Sequence, residues 1–258
     1  MPQEIPIIKK RVANWLGNPK RILLQLWVSV WSFVFLPTAK YSNSAVYEYF
    51  SELYNGKPET LIFDGKDGRY LEQIEMVYNI ENLKSRNILD LGCGDGAVFN
   101  WLLRQNINPE SYRGIDFAHP DKIFNKNARI IKNNVNSIDF DEFKTLTITA
   151  VNILVYLNPN IAKLILKSRT QDTELIIIDP IPGLFWDAYW DNVQLFYRKP
   201  SMIIEMLKSE GWHIKGISID YGIKFMNSFF FPLSYCLFAE FSALSKGKKD
   251  SISHMPNL

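Results

Sequence analysis

The stretch NILDLGCGDG, residues 87–96, decides the fold of this chain. An apolar run that ends in a glycine turn predicts a buried β-strand over residues 87–91, and the spacing after the turn predicts a helix over residues 96–104. Glycine adopts backbone torsions that other residues avoid, and it lets a ligand approach the chain closely. The first N–H groups of a helix attract anionic groups. The stretch therefore predicts a strand–turn–helix unit that binds a ligand at its turn.

The segments that follow predict a mostly parallel sheet. After about residue 79, short β-branched runs alternate with helical patterns, as in sheets whose parallel strands are joined by crossover helices. Strands are predicted at residues 87–91, 112–116, 129–132, 146–151 and 174–179, and a helix at residues 200–209, ending before Gly211. Strands near residues 212–219 and 233–241 lack a long helix between them, so they are predicted to pair antiparallel.

An acidic residue ends the second predicted strand. This residue, Asp116, lies 26 positions after Asp90. A carboxylate at that place can accept two hydrogen bonds from ribose hydroxyls. However, Gly92, Gly94 and Ala97 also satisfy the looser G-x-G-x-x-G/A pattern of dinucleotide-binding proteins. The spacing indicates a nucleoside cofactor and leaves its identity open.

The two motifs together resemble a known family. Residues 87–117 are similar to the first two motifs of class I S-adenosylmethionine-dependent methyltransferases, whose glycine motif often reads LDLGCGxG. The resemblance extends over about residues 61–241 through strand order and length. It implies an α/β, Rossmann-like fold, with a seven-stranded and mostly parallel sheet whose last strand is antiparallel. Helices would flank this sheet, an N-terminal helical cap would precede it, and the cofactor would be S-adenosylmethionine.

The resemblance also implies which residues contact the cofactor. Asp90 would hold the methionine amino group, Asp116 would bind the ribose, and Phe117 would lie against the adenine. The backbone lining the methionine and ribose would come from Gly92, Cys93, Gly94 and Gly96.

The position after the third strand departs from the family pattern. An acidic residue that bonds the adenine amino group is common there, whereas this chain has Asn134 followed by Val135. The side-chain carbonyl of Asn134 can still accept a hydrogen bond, so the resemblance keeps both residues as adenine contacts. A plain turn residue is an equally good interpretation of Asn134.

The segment after the fourth strand, NILVY at residues 152–156, matches the part of the family that shields the sulfonium and faces the acceptor. Asn152 is its expected cofactor contact. Three apolar residues replace the polar ones common there, which leaves Tyr156 and Asp179 as the catalytic candidates. A core aromatic and a turn carboxylate are the alternative interpretations of these two residues.

Methyl transfer from a sulfonium does not demand a catalytic base. The reaction is an in-line displacement, and alignment of donor and acceptor alone can contribute roughly 7–11 kcal/mol. A general base adds only about 10²–10⁴-fold. A site without an evident base is therefore chemically credible.

An aromatic-rich loop over residues 180–192 is the candidate acceptor pocket. It supplies aromatic walls and one carboxylate, as small-molecule sites often do. The residues concerned are Phe185, Trp186, Asp187, Tyr189 and Trp190. A lid that packs on the cap is an equally weighted alternative.

The most apolar stretch is ILLQLWVSVWSFVFL, residues 22–36, with basic residues before it and Pro37 after it. It is shorter than the roughly 20 residues that a membrane-spanning helix needs. A helix buried between the catalytic domain and its cap, or at a homodimer contact, is one interpretation, and an in-plane membrane anchor with Trp27 and Trp31 is the other. The expected division is a helical cap at 1–78, a catalytic domain at 79–245 and a polar tail at 246–258.

Composition narrows the function further. The net charge of +2 gives no case for nucleic acid, and two cysteines with three scattered histidines give none for a metal site. The cysteines suggest a reducing compartment, hence the cytoplasm, with membrane association left open. The expected function is methyl transfer from S-adenosylmethionine to a small-molecule acceptor, a metabolite, sugar or lipid-linked compound. A non-catalytic cofactor-binding scaffold and, less favoured, a nicotinamide-dependent oxidoreductase are the alternatives.

Overall fold

The computed structural model describes residues 7–12, 71–117, 121–135, 146–157, 172–181, 187–190, 193–196, 199–225 and 228–241. The strands are β1 (Ile7–Val12), β2 (Asn87–Leu91), β3 (Ser111–Asp116), β4 (Lys122–Asn125), β5 (Ala128–Lys132), β6 (Leu146–Val151), β7 (Thr173–Pro180), β8 (Asp187–Trp190), β9 (Val193–Phe196), β10 (His213–Phe225) and β11 (Ser228–Phe241). The helices are α1 (Gln73–Val77), α2 (Ala97–Arg104) and α3 (Pro200–Ser209), with 3-10 turns at Ile80–Ser85 and Leu154–Tyr156.

Within these ranges one sheet contains nine strands, in the order β1-β10-β11-β7-β6-β2-β3-β5-β4. The pairs among β2, β3, β5, β6 and β7 are parallel, and β11 runs antiparallel to both β7 and β10. The predicted α/β architecture with an antiparallel last strand is therefore confirmed. The predicted count of seven was wrong, because β1 and β4 extend the sheet at its two edges.

The two additional strands escaped prediction for different reasons. β4 has four residues, and its side chains are mostly exposed, so it shows no apolar alternation. β1 lies in a segment whose apolar spacing predicted a helical cap, yet it pairs in parallel with β10. The rest of the predicted cap before residue 71, the apolar stretch 22–36 and the tail at 246–258 lie outside the described residues. The domain division stays a prediction.

Apolar side chains cover both faces of the sheet because successive strand residues point to opposite sides. One buried cluster contains Leu89 and Leu91 of β2 together with Ile203 and Leu207 of α3. The other contains Ile88 of β2 together with residues of α1 and α2. The sheet is thus a central layer, and the turn after β2 lies at its carboxyl edge, where open α/β sheets bind ligands. Within the described ranges, no helix is both long and apolar enough to cross a membrane.

A half-buried ion pair stabilises the opposite edge of the sheet. Arg86, just before β2, lies 3.4 Å (Nε to Oε2) from Glu174 of β7 and donates to the Thr147 hydroxyl of β6 at 3.1 Å. Its Nη2 also donates to the Leu146 and Asp172 carbonyls, at 2.8 and 3.0 Å. The Tyr78 hydroxyl donates to the same Glu174 carboxylate at 2.7 Å, so burial and this bond raise the pKa of Tyr78 well above its usual range. One guanidinium therefore joins three strands at their amino ends.

We expect Arg86→Met to lower the free energy of unfolding by about 2 kcal/mol, because the half-buried Glu174 carboxylate would lose its cation. Urea denaturation measures the change. Lys84→Met is the matched control, since it removes only an exposed pair with Glu81, worth at most about 1 kcal/mol. Equal stabilities for the two variants would contradict the assignment.

Candidate cofactor-binding site

The turn after β2 has the left-handed backbone that its glycines were predicted to allow. The φ angles are 62° at Gly92, 52° at Gly94 and 91° at Gly96, all in the region that disfavours residues with a Cβ. The N–H groups of Gly92 and Cys93 donate to the Ile115 carbonyl at 2.8 and 3.2 Å. The turn is therefore fastened to the end of β3 before α2 begins.

Neighbouring side chains occupy the space beside two of these glycines. A Cβ on Gly92 would lie 2.6 Å from Ile153 Cδ1, and one on Gly96 would lie 2.6 Å from Phe124 Cζ. Ile153 follows β6, and Phe124 belongs to β4. The turn is thus enclosed from both sides, and any side chain at either glycine would displace a neighbour.

Cys93 turns its side chain away from the carboxyl edge. Its Sγ would lie 2.6 Å from a Cβ on Gly114 of β3, so the thiol fills the space that this glycine leaves. Burial and the nearby Asp90 and Asp116 carboxylates raise the pKa of the Cys93 thiol well above its usual range. The thiol packs against β3 and also donates to the Gly94 carbonyl at 3.6 Å, so both the side chain and the backbone of Cys93 support the turn.

Asp116 lies where the sequence predicted a ribose-binding carboxylate, at the end of β3 beside the turn. Its Oδ2 accepts a hydrogen bond from the Gly94 N–H at 3.0 Å, and its carbonyl accepts one from Asn133 at 2.9 Å. The Asp116 side chain is buried. The carboxylate and the glycine turn therefore form one hydrogen-bonded unit.

Asp90, the predicted partner of the methionine amino group, is buried beneath the turn with only 1% of its surface exposed. The Tyr112 hydroxyl donates to its Oδ2 at 2.5 Å and the Thr149 hydroxyl to its Oδ1 at 2.7 Å. Burial raises the pKa of Asp90 to about 7, and the Asp116 charge adds to the rise, while the two hydroxyl bonds oppose it. A ligand ammonium would have to compete with these hydroxyls, so the predicted contact with the amino group, direct or through water, stays a prediction.

Sequence reasoning missed Tyr112 and Thr149. A signal existed, because a carboxylate inside a buried strand needs hydrogen-bond partners from the strands beside it. Both partners lie on those strands, Tyr112 on β3 and Thr149 directly opposite Asp90 on β6. Without the strand register, the sequence could not single out these two hydroxyls.

The predicted adenine contacts cluster after β3 and β5. Phe117 and Asn134 are half-buried, and the Asn134 N–H donates to the Asn133 side chain at 2.8 Å. Val135 is buried and packs in the core. The structure thus brings Phe117 and Asn134 to the carboxyl edge near Asp116, while Val135 faces the protein interior.

The segment after β6 turns sharply at Asn152. This residue has a φ of 55°, a left-handed conformation that Asn tolerates better than most residues, and its N–H donates to the Ile178 carbonyl at 2.7 Å. The next residues, Ile153, Leu154 and Val155, are buried. The segment therefore presents backbone and apolar groups, and the Tyr156 side chain lies outside what the structure describes.

The other catalytic candidate, Asp179, was predicted to end its strand and lies one residue before the end of β7. It is buried, and it faces Tyr235 of β11 across the antiparallel pair. The strand continues through Pro180, so the interpretation of Asp179 as a turn carboxylate was wrong.

The aromatic-rich acceptor segment is a hairpin, which corrects the predicted loop. Asp187, Tyr189 and Trp190 lie in β8, which pairs antiparallel with β9, and β9 lies beside the 3-10 turn Leu154–Tyr156. Aromatic residues favour strands, and this preference explains why the segment pairs as a strand instead of forming a loop. Phe185 and Trp186 lie outside the described residues, as do the side chains of β8. In the part of the chain that the structure describes, no group of three His, Cys, Asp or Glu side chains could hold a metal ion.

Comparison with known proteins identifies the fold. No protein-family model matches the chain, and no curated protein matches it significantly. A 1,6-didemethyltoxoflavin-N1-methyltransferase from Burkholderia thailandensis, solved with 1,6-didemethyltoxoflavin and S-adenosylhomocysteine, superposes with a TM-score of 0.61 at 12% identity, over 77% of this chain and 88% of that one. This chain has the class I methyltransferase fold. A Listeria monocytogenes protein, provisionally assigned as an S-adenosylmethionine-dependent methyltransferase, superposes with a TM-score of 0.50 at 15% identity. The superposition covers 69% of this chain and 100% of that one.

We expect Asp90→Asn to flatten the dependence of stability on pH. The pKa of Asp90 rises from 3.8 to about 7 on folding, so between these values the folded protein binds a proton that the unfolded chain does not. The proton held by Asp90 therefore stabilises the folded protein in full below about pH 4, and this stabilisation is lost as the pH rises to about 7.

Urea denaturation of wild type and variant at intervals between pH 4 and 7 measures the effect. Glu110→Gln, which alters an exposed carboxylate, is the control. Parallel pH profiles for wild type and Asp90→Asn would show that Asp90 titrates normally.

Proposed function

We propose that the chain is an S-adenosylmethionine-dependent methyltransferase that acts on a small molecule. The observation that carries this proposal is the hydrogen-bonded unit of the left-handed glycine turn and Asp116, at the carboxyl edge of a sheet with methyltransferase topology. The relative from Burkholderia supports it, because it was solved with S-adenosylhomocysteine and a small-molecule acceptor.

The residues present fit such a cofactor. Gly92 and Gly94 are half-buried and carry no side chains, whereas Gly96 is buried under the Phe124 ring. Asp116 supplies a carboxylate whose oxygens can also accept ribose hydroxyls. Phe117 and Asn134 lie close enough to this edge to border an adenine. Bound there, S-adenosylmethionine would supply an electrophilic methyl group.

The protein's own contribution would be alignment and exclusion of water. Ile153 covers one side of the turn, and the 3-10 turn after it lies beside the β8–β9 hairpin, which we propose as the acceptor wall. Tyr156 and Asp179 are the proposed proton acceptors for a hydroxyl or amine substrate. Because Asp179 is buried, such a role would require an acceptor that reaches into the protein interior.

A non-catalytic scaffold of the same fold is the second candidate. It is favoured by one observation, the burial of Ile153, Leu154 and Val155 where the family commonly places polar residues. Binding of S-adenosylhomocysteine without methyl transfer to any extract fraction would support it. A nicotinamide-dependent oxidoreductase would instead show a change in NADH absorbance or fluorescence on mixing.

Location and assembly are separate proposals. Both cysteines, Cys93 and Cys236, are buried thiols, which suits a reducing compartment such as the cytoplasm. Peripheral membrane contact through residues 22–36, or a homodimer through them, concerns a segment outside the described residues. Sedimentation with anionic liposomes, before and after deletion of residues 1–37, tests the membrane contact.

We expect Asp116→Asn to weaken S-adenosylhomocysteine binding by about 10- to 100-fold, since charge-assisted hydrogen bonds to the ribose would be lost. The asparagine carbonyl can still accept the Gly94 N–H, so stability should change little. Asp116→Ala should weaken both binding and stability, because it also removes that acceptor. Titration calorimetry and urea denaturation separate the two effects, and wild-type affinity in Asp116→Asn would refute the ribose assignment.

Activity itself is tested by transfer of a labelled methyl group to fractionated soluble and lipid extracts. The proposal requires a labelled small molecule whose yield, at S-adenosylmethionine concentrations well below saturation, falls when Asp116→Asn replaces the wild-type protein. Label recovered only in protein or nucleic acid would overturn the assigned acceptor class.

A further inference from the structure

The edge strand β4 lies directly against the glycine turn. The ring of Phe124 covers Gly96, where a Cβ would lie 2.6 Å from Cζ and 3.2 Å from Cε2. Gly96 precedes the first residue of α2. The ring therefore packs against the backbone at the point where the turn becomes a helix.

Lys122 reaches the preceding residue of the same turn. Its Nζ donates to the Asp95 carbonyl at 3.2 Å and lies 4.5 Å from the centre of the Phe124 ring. Asp95 and Lys122 are both exposed, so water competes for these groups. The ring attracts the ammonium and holds it over the carbonyl, because a cation is stabilised over an aromatic face.

The strand that carries these residues is itself firmly placed. β4 pairs antiparallel with β5, and the Asp121 carboxylate accepts the Lys132 N–H at 2.7 Å. The Phe124 ring packs on Phe99 of α2 at 4.8 Å and meets the Tyr112 ring edge-on at 6.4 Å. Tyr112 is the residue that donates to Asp90, so one aromatic cluster contacts the glycine turn and also holds its buried carboxylate.

We infer that Lys122 and Phe124 are positioning residues that keep the glycine turn in its ligand-binding conformation. The inference rests on the proposed function, because the ligand concerned is the adenosyl cofactor. A turn held in advance needs no ordering when the ligand arrives, so its rigidity increases affinity. The contribution concerns binding, and the methyl-transfer step at saturating cofactor would not depend on it.

The test compares Lys122→Met with Lys126→Met. Both remove an exposed lysine charge from the same hairpin, but only Lys122 reaches the turn. We expect Lys122→Met to weaken S-adenosylhomocysteine binding by roughly three- to ten-fold, with kcat at saturating S-adenosylmethionine unchanged. Lys122→Arg, which keeps a cation over the ring, should restore affinity to within about two-fold.

A second measurement does not depend on any ligand. The Gly96 N–H donates to the Cys93 carbonyl at 3.0 Å, so its hydrogen exchange in the free protein reports opening of the turn. We expect faster exchange in Lys122→Met than in Lys126→Met. We also expect Phe124→Leu to accelerate this exchange. In a variant that combines Lys122→Met with Phe124→Leu, the combined free-energy effect on exchange should be smaller than the sum of the two single effects, because both residues act on one turn.

The outcomes separate the two proposals. If the wild-type protein does not bind S-adenosylhomocysteine, the cofactor assignment fails, and hydrogen exchange alone decides whether β4 holds the turn. If binding is normal and Lys122→Met matches Lys126→Met in both affinity and exchange, the positioning role is refuted. A loss of kcat at saturating cofactor in Lys122→Met would likewise overturn it.

Discussion

One carbonyl oxygen, that of Ile115, organises the candidate site. It accepts the N–H groups of Gly92 and Cys93, which ties the turn after β2 to the end of β3. Since Asp116 follows Ile115, the same contact brings the carboxylate within 3.0 Å of the Gly94 N–H. Each such bond contributes only about 0.5–1.5 kcal/mol in net terms, but both are lost if the turn adopts right-handed torsions. The glycines are therefore required by hydrogen bonding as much as by access for a ligand.

Opposing effects act on the pKa of Asp90 beneath the turn. Asp90 is almost completely buried, and the nearby Asp116 charge adds to the rise in the pKa of Asp90 that this burial causes. Two hydroxyls, from Tyr112 and Thr149, offset part of the cost of that burial. A positively charged ligand group at the turn would lower the pKa of Asp90 and so favour its ionised form. Ligand binding and the protonation of this residue are thus linked through ordinary Coulomb interaction.

The sequence was sufficient for features that follow from local chemistry. The glycine torsions, the strand β6, the helix α3 and the antiparallel end of the sheet all agree with prediction, because each depends on short patterns. Features that depend on register or on distant contacts were missed. Thr149 faces Asp90 only once β2 and β6 are aligned, and Phe124 covers Gly96 only once β4 pairs with β5. The aromatic segment at residues 187–190 contained strand formers, but its partner β9 was not recognised.

The place of β11 has a consequence for how the chain folds. This strand comes last among the described elements, yet it lies inside the sheet, between β7 and β10. Neither β10 nor its neighbour β1 can join the remaining strands until residues 228–241 are inserted. Contacts between such distant segments form late, because closing long loops is entropically costly. During synthesis β1 and β10 must therefore stay apart from the remaining strands until residues 228–241 have left the ribosome.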